Sequence, residues 1–270
     1  MKKVLRYACL AAGITLFGAT AYLYTSFYHM PKFVRVTDNN YHKDNDNNLL
    51  LLQGKIAAKE EVTDKKLKVS FKTPIMQRKV EMLQYYLEDD KVKAGWKDKA
   101  VPSFKDKTGK EWSNPPFYKT HTTNTFFHDF YLDKGDLPIS SVYLKDDFDM
   151  TKYADKFGVI ARLPKESTPA GFEYKRNFYV QRTTAPNNIG SVRIYYKVLN
   201  LAKPMPEFTI VGSQYNKKVN KSNHYARFYD KRMEPEEMRS SYTEDRFDAA
   251  LGTFLLGICF TLVGLFKAKE

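Results

Sequence analysis

Hydrophobic and polar positions divide the chain into three parts. From Tyr7 to Tyr28, and again from Ala249 to Phe266, no residue is charged, while the sequence between them is densely polar. At about 1.5 Å per helical residue the first run, 22 residues, reaches about 33 Å, which matches a hydrocarbon core of about 30 Å. The second run, 18 residues, falls at the short end of the spanning range. The pattern predicts transmembrane helices over 7–28 and 249–266, tails at 1–6 and 267–270, and a domain between them over 29–248. Lys2, Lys3 and Arg6 precede the first run, and Lys267 and Lys269 follow the second. By the positive-inside bias both termini are then cytoplasmic and the middle is extracytoplasmic, with Tyr22, Tyr24 and Tyr28 as interfacial aromatics. Gly257, Thr261 and Gly264 form a small-residue face expected to pack on Ala8, Ala12, Thr15 and Ala19. Ala19-Thr20-Ala21 meets the small-x-small rule for cleavage, but the apolar character continues to Tyr28, so an uncleaved signal anchor fits better.

In the middle, period-2 alternation dominates. Leu67, Val69 and Phe71 alternate with Lys66, Lys68, Ser70 and Lys72; Val192, Ile194, Tyr196 and Val198 alternate with Arg193, Tyr195 and Lys197. Further strands are expected in Leu49 to Ala57, Val80 to Leu87, Glu173 to Gln181 and Phe208 to Val219, rich in Val, Ile, Tyr and Phe and separated by Asn, Gly and Pro. The apolar spacing of Met76 to Glu88 also tolerates a helix. Lys91 to Pro116, where Lys, Asp, Gly and Pro crowd around Trp96 and Trp112, reads as a loop or insertion. Glu234 to Asp248 turns helical, with Pro235, Glu236 and Glu237 suited to a first turn. The fold class expected is therefore α+β: a membrane protein whose two transmembrane helices flank a mostly antiparallel β domain.

Composition sharpens this. The chain has 270 residues, a formal charge of +13 and 38 Tyr and Phe, so disorder is excluded and a sizeable core is expected. Without the residues of the two tails, 39 basic and 30 acidic residues remain, a net of about +9. That basic surface suggests anionic lipid head groups as a partner beside the lipid bilayer, although the interspersed signs of Asp89-Asp90-Lys91 and Lys97-Asp98-Lys99 also suit an ordinary solvated face. The two cysteines, Cys9 and Cys259, both fall in the uncharged runs, which leaves the middle without a thiol or disulfide. Nucleic acid is excluded as a partner by the extracytoplasmic placement.

Catalytic and cofactor motifs are sparse. There is no Walker loop, dinucleotide glycine fingerprint, HExxH, paired CxxC or GxSxG. Asp44-Asn45-Asp46 opens like a calcium loop, but Leu49 and Lys55 stand where the turn glycine and bidentate Glu belong, so only a looser divalent site at Asp44 and Asp46 is conceivable beside a polar linker. A His121/His128/Asp129 metal site can be drawn, but a separation of seven puts the two histidines on opposite faces of a strand. The pairs Asp89/Asp90, Asp146/Asp147 and Glu236/Glu237 are consecutive and suit solvated turns better than shared acid-base work. No catalytic, cofactor-binding or metal-ligating residue is assigned, and no cofactor.

Several blocks in order resemble one family. Asn48-Leu49-Leu50-Leu51-Leu52-Gln53-Gly54 resembles the opening strand of the LUMA (transmembrane protein 43) family. Gln77 to Tyr85 is similar to its "R-x-V-E-M-Y-Q-W" segment, and Ile189 to Tyr196 to its "I-G-D-V-R-V-S-F". Thr209 to Tyr215 resembles the following strand, and Met233 to Phe266 the acidic helix that enters a membrane span. The resemblance implies a self-associating organiser of membrane complexes with no established catalytic site. Family members continue through further helices where this chain ends after its second span. The short basic N-terminus favours a bacterial inner-membrane protein with a periplasmic domain. The alternative is the endoplasmic reticulum or inner nuclear membrane, with Asn220-Lys221-Ser222 as a glycosylation sequon in the lumen.

The function expected is a non-enzymatic organiser or scaffold that self-associates or holds membrane-protein partners. The alternatives are a cell-envelope enzyme for lipid or glycan, with groups such as His121, Asp129 and Glu173 brought together, and a ligand-sensing accessory subunit.

Overall fold

The computed structural model describes residues 2–27, 32–221 and 225–266, with part of the side chains inside its two long helices. Along the chain α1 (Lys2–Phe27) is followed by β1 (Val34–Val36), β2 (Leu49–Gly54), β3 (Ile56–Ala57), β4 (Val62–Asp64) and β5 (Val69–Phe71). The long β6 (Ile75–Glu88) and β7 (Lys91–Lys97) precede β8 (Phe104–Lys105), β9 (Glu111–Trp112), β10 (Asn124–Phe127) and β11 (Tyr131–Leu132). A short α2 (Val142–Asp146) leads to β12 (Phe157–Val159), β13 (Glu173–Lys175), β14 (Phe178–Gln181) and β15 (Val192–Leu199). Then come β16 (Phe208–Tyr215), β17 (Lys218–Asn220), β18 (Arg227–Tyr229) and α3 (Pro235–Phe266).

Two compact units result, Met1–Phe33 with Arg232–Glu270, and Val34–Lys231. The second unit is β-rich and holds two larger sheets. In the five-stranded sheet the order is β1-β2-β16-β17 with β18 also on β16. Leu49, Leu50, Leu51 and Leu52 are all buried, as a continuous apolar run is when both faces of a strand are covered. The seven-stranded sheet runs β10-β6-β15-β14-β13, with β7 on β6 and β12 on β15. Every strand pair in it is antiparallel; β1 with β2 is parallel.

One face of the seven-stranded sheet packs into a core along the length of β6 and β15. Met76, Val80 and Met82 of β6 and Val192, Ile194 and Tyr196 of β15 enter one core together with Tyr179, Val62 and Val69. A second core gathers Leu50, Leu52, Phe130, Tyr143, Phe208 and Ile210. Because side chains alternate along a strand, the odd-numbered residues of β6 and β15 turn to the other face; at one end Ile75 and Leu199 join the second core, and the remainder carries the site described below.

Several expectations change. Met76 to Glu88 is a strand, since β10, β15 and β7 all pair with it. Lys91 to Lys97 is not loop: Asp89 and Asp90, at φ 50° and 60°, make the tight turn that folds β7 back onto β6. Glu173 to Gln181 and Phe208 to Val219 are each broken into hairpins, by Arg176 (φ 46°) and by Asn216 and Lys217 (φ 52° and 58°). Around Lys68 (φ 52°) the alternation of Leu67 yields only the short β5.

The largest correction concerns the flanking helices. Among the described residues no helix is long and apolar enough to cross a membrane. Two transmembrane spans, the signal anchor, the two-pass topology and the extracytoplasmic placement are therefore not supported. Freedom from charge overstated the apolar content: α1 contains Gly13, Thr15, Gly18, Thr20, Tyr22, Tyr24 and Thr25, and the 249–266 part of α3 contains Gly252, Thr253, Gly257, Thr261 and Gly264. The exclusion of nucleic acid rested on that topology and loses its premise with it.

Within their unit the two helices pair. The Thr20 and Thr253 hydroxyls meet at 2.9 Å, and Phe17 stacks edge-on against Phe254 at 5.7 Å. A Cβ on Gly13 would strike the Thr261 hydroxyl, and one on Gly257 would lie 3.2 Å from Phe17. The small residues at 257 and 261 thus do face α1, but they meet Gly13, Leu16 and Phe17; Ala8, Thr15 and Ala19 are exposed. Side-chain facts for Gly264 lie outside the described residues. At the start of α3, the backbone N–H of Glu234 donates to Glu237 Oε2 at 3.1 Å, the return half of a capping box, with Pro235 at the first helical position.

Candidate binding site on the open face of the seven-stranded sheet

The register of β6 with β15 places Glu81 opposite Arg193 and Lys79 opposite Tyr195; β7 places Trp96 opposite Leu83, and β14 places Val180 opposite Arg193. These residues share the face away from the core. Glu81 Oε2 accepts from Arg193 Nε at 2.6 Å and lies 2.5 Å from Nη2, while Glu81 Oε1 accepts from the Tyr195 hydroxyl at 2.8 Å. The guanidinium lies over three rings, at 4.6 Å from the centroid of Trp96, 5.2 Å from Phe178 and 5.7 Å from Tyr195. Burial, and then Glu81, push the Tyr195 hydroxyl well above the ordinary tyrosine range, so it stays a donor. Arg193 is therefore held in one pose by a carboxylate and a cage of aromatic surface.

Beside it lies a cleft of about 300 Å³ whose lining includes Leu83, Trp96, Phe178 and Val180 as apolar surface and Lys175, Arg182 and Arg193 as cations. At its mouth Glu173 serves both Lys175, at 3.0 Å, and Arg182, at 3.9 Å. The β7 end of the cleft is braced from behind. Gln84 donates to the Lys99 carbonyl at 2.8 Å and accepts from the Val101 N–H at 2.9 Å; Asn114 exchanges two bonds with the Tyr85 backbone, at 2.7 and 2.9 Å. That bracing orders the segment after β7, which composition alone suggested was a loop.

On the core side of the same strands lies a buried polar network. Asp64 and Arg78, about 1% and 5% exposed, form an ion pair; Tyr196 donates to Asp64 Oδ2 at 2.7 Å, and Arg78 Nε donates to the Thr122 carbonyl at 2.8 Å. Every member has a partner, as a buried ion pair requires. His121 sits near it, with Nδ1 buried and unbonded; burial, and then Lys66 and Arg78, depress its pKa.

The residues considered from sequence are scattered. His121 packs by Tyr118 and Phe172, Asp129 is paired with Lys218 at 2.5 Å, and Glu173 is exposed with Lys175, so the three acid-base candidates have separate neighbours. His128 faces Glu60 at 3.5 Å, not His121. Among the described residues no group of three His, Cys, Asp or Glu is placed to hold a metal. Asp46 accepts from Tyr41 at 3.1 Å and Gln214 at 2.8 Å, which ties down the polar turn it belongs to. Asp146 and Asp147 both pair with Lys221. Asn220 bonds the Tyr215 and Lys218 carbonyls, and Ser222 of the sequon lies outside the described residues.

The Arg193 cage and the Asp64 network were not found by reading the chain. Their one visible signal was a charged residue inside each of two strongly alternating strands, Glu81 and Arg193, without a sign that the two would meet. No family model, curated protein or solved structure matches the chain.

Proposed function

We propose that the chain is an organiser without chemistry of its own, a binding module that self-associates or holds protein partners through the open face of the seven-stranded sheet. The observation that carries this reading is Arg193, pinned by Glu81 and caged by Trp96, Phe178 and Tyr195 on a face that also offers a cleft. Trp, Tyr and Arg dominate the energetics of protein interfaces because they combine large contact area with directional polar groups. A pre-fixed Arg adds little ordering cost when a partner arrives. The resemblance to the LUMA family supports the same reading, and the two blocks quoted for it form the adjacent strands β6 and β15 that create the Glu81–Arg193 pair.

The test is the size of the assembly. Full-length chain, isolated from its own cells and separately purified, is sized by native electrophoresis and sedimentation, with Trp96→Ala and Phe178→Ala alongside. The expected result is a complex larger than one chain that shrinks in both variants while their circular dichroism is unchanged. A single-chain species in both preparations, or a complex indifferent to both variants, overturns the reading.

A further inference from the structure

The cleft beside Arg193 has a more specific chemistry than a general contact surface. Its volume, about 300 Å³, stands at the lower end of ligand sites, room for one anchored group and not for a long ligand. Its floor is apolar and aromatic, from Leu83, Trp96, Phe178 and Val180. Its charge can be counted group by group. Glu81 is spent on Arg193, which leaves that pair neutral, while Lys175 and Arg182 share the single carboxylate of Glu173. Among the charged groups that line the cleft and their ion-pair partners, one positive charge is left over beside an apolar hollow.

The donors agree. Arg193 uses Nε and Nη2 on Glu81, and its Nη1 has no hydrogen-bond partner among the described residues. Arg182 is exposed and meets Glu173 only at 3.9 Å, beyond hydrogen-bond length. Both guanidiniums thus retain N–H groups for an incoming acceptor, and a planar fork suits a planar carboxylate. A single excess charge matches a monoanion better than a phosphate dianion.

We infer that the cleft binds a carboxylate carried on an aromatic or branched apolar group, the apolar group resting on Trp96, Leu83 and Phe178 and the carboxylate meeting Arg182 and Arg193 Nη1. This rests on the reading of the open face as the binding surface. The same chemistry comes from two sources, a free aromatic acid or the C-terminal residue of a polypeptide.

The experiment follows the Trp96 indole N–H by NMR in the full chain while N-acetyl-phenylalanine, its amide, acetate and inorganic phosphate are added in turn. N-acetyl-phenylalanine is expected to bind at least about tenfold more tightly than the amide, which lacks the charge, and than acetate, which lacks the ring. Arg182→Gln, an exposed substitution, lowers that affinity about fivefold or more with the spectrum otherwise unchanged. A peptide ending in Phe, compared with the same peptide amidated, separates the sources. Tighter binding than the free derivative points to a polypeptide terminus, and equal binding to a free acid. The inference is overturned if acid and amide bind alike, if phosphate binds more tightly than the acid, or if Arg182→Gln changes nothing. Should the acid fail to bind while Trp96→Ala still disrupts the assembly, the ligand class is wrong and the organiser reading stands. Should the acid bind while the assembly is indifferent to the cleft, the reverse holds.

Discussion

The Tyr196 hydroxyl donates to Asp64 Oδ2 at 2.7 Å across 132 residues of sequence, beneath the seven-stranded sheet, and the same carboxylate is ion-paired with Arg78. The β4–β5 hairpin, the central strands β6 and β15, and the segment at Thr122 are thereby tied at one buried point.

Removing one partner leaves the other charge buried. Asp64→Asn is therefore expected to destabilise the β unit by about 3–5 kcal/mol, whereas Asp64→Leu combined with Arg78→Met recovers most of that loss, since a packed apolar pair avoids the desolvation cost. Urea unfolding of both variants checks this; a double variant no better than the single one would show that the pair is held for more than charge compensation.

Alkaline pH should unfold the β unit. Burial raises Tyr179 to about 12, and burial followed by Asp64 raises Tyr196 further. The unfolded chain ionises its tyrosines near about 10, so it gains protonation free energy of release before the folded chain does. Stability from these hydroxyls is complete below about pH 10 and is lost as pH rises through the folded values. A melting temperature level from neutral pH to about 9.5, then falling steeply as tyrosinate absorbance grows, is the expected profile.

Acid acts on the β8–β9 hairpin. Asp106 is held down to about 2 by Thr108, then by Trp112, whose indole donates to Oδ2 at 2.9 Å. A depressed carboxylate contributes above its unfolded value near 3.9 and loses that contribution as pH falls through about 2. The Trp112 indole N–H resonance should therefore shift in a transition centred near about pH 2, and Asp106→Asn should abolish the shift.

Gly212 lies where β16 passes Tyr143. A Cβ there would run into the Tyr143 hydroxyl and come within 2.7 Å of Val219 Cγ1, and that hydroxyl donates to the Val211 carbonyl at 2.8 Å. Gly212→Ala is expected to cost about 1–3 kcal/mol through overpacking, measured by thermal unfolding, and Tyr143→Phe in the same background should relieve part of it.

The helix pair is testable by chemistry. With Cys9 and Cys259 changed to Ser, Thr20→Cys and Thr253→Cys should cross-link under mild oxidation, because the native hydroxyls lie 2.9 Å apart. Gly13→Leu, which drives a side chain at Thr261, should suppress the cross-link.

Alternation of side chains was enough to assign β15 from the chain alone, because one buried face imposes a period of two on a strand, while β2, most of β6 and β16 were legible from apolar and aromatic runs bounded by Asn, Gly and Pro. The same reading missed β7. Lys91, Lys93 and Lys97 lie on a strand rich in charge, and its pairing with β6 follows from the Asp89-Asp90 turn and not from any apolar period. Counting uncharged residues likewise failed at the ends, where Gly, Thr and Tyr are uncharged without being strongly apolar.

Alternation thus marked Val192, Ile194 and Tyr196 as facing inward, since side chains two positions apart on a strand share a face. It could not settle which inward or outward residues meet. Glu81 and Arg193 are 112 residues apart, Asp64 and Tyr196 132 apart. A charged residue on a strand reads the same whether it ends in solvent, in a buried pair or in an aromatic cage. The register of β6 against β15 and the return of β7 decided among these, because the energy of a charge depends on what stands opposite it.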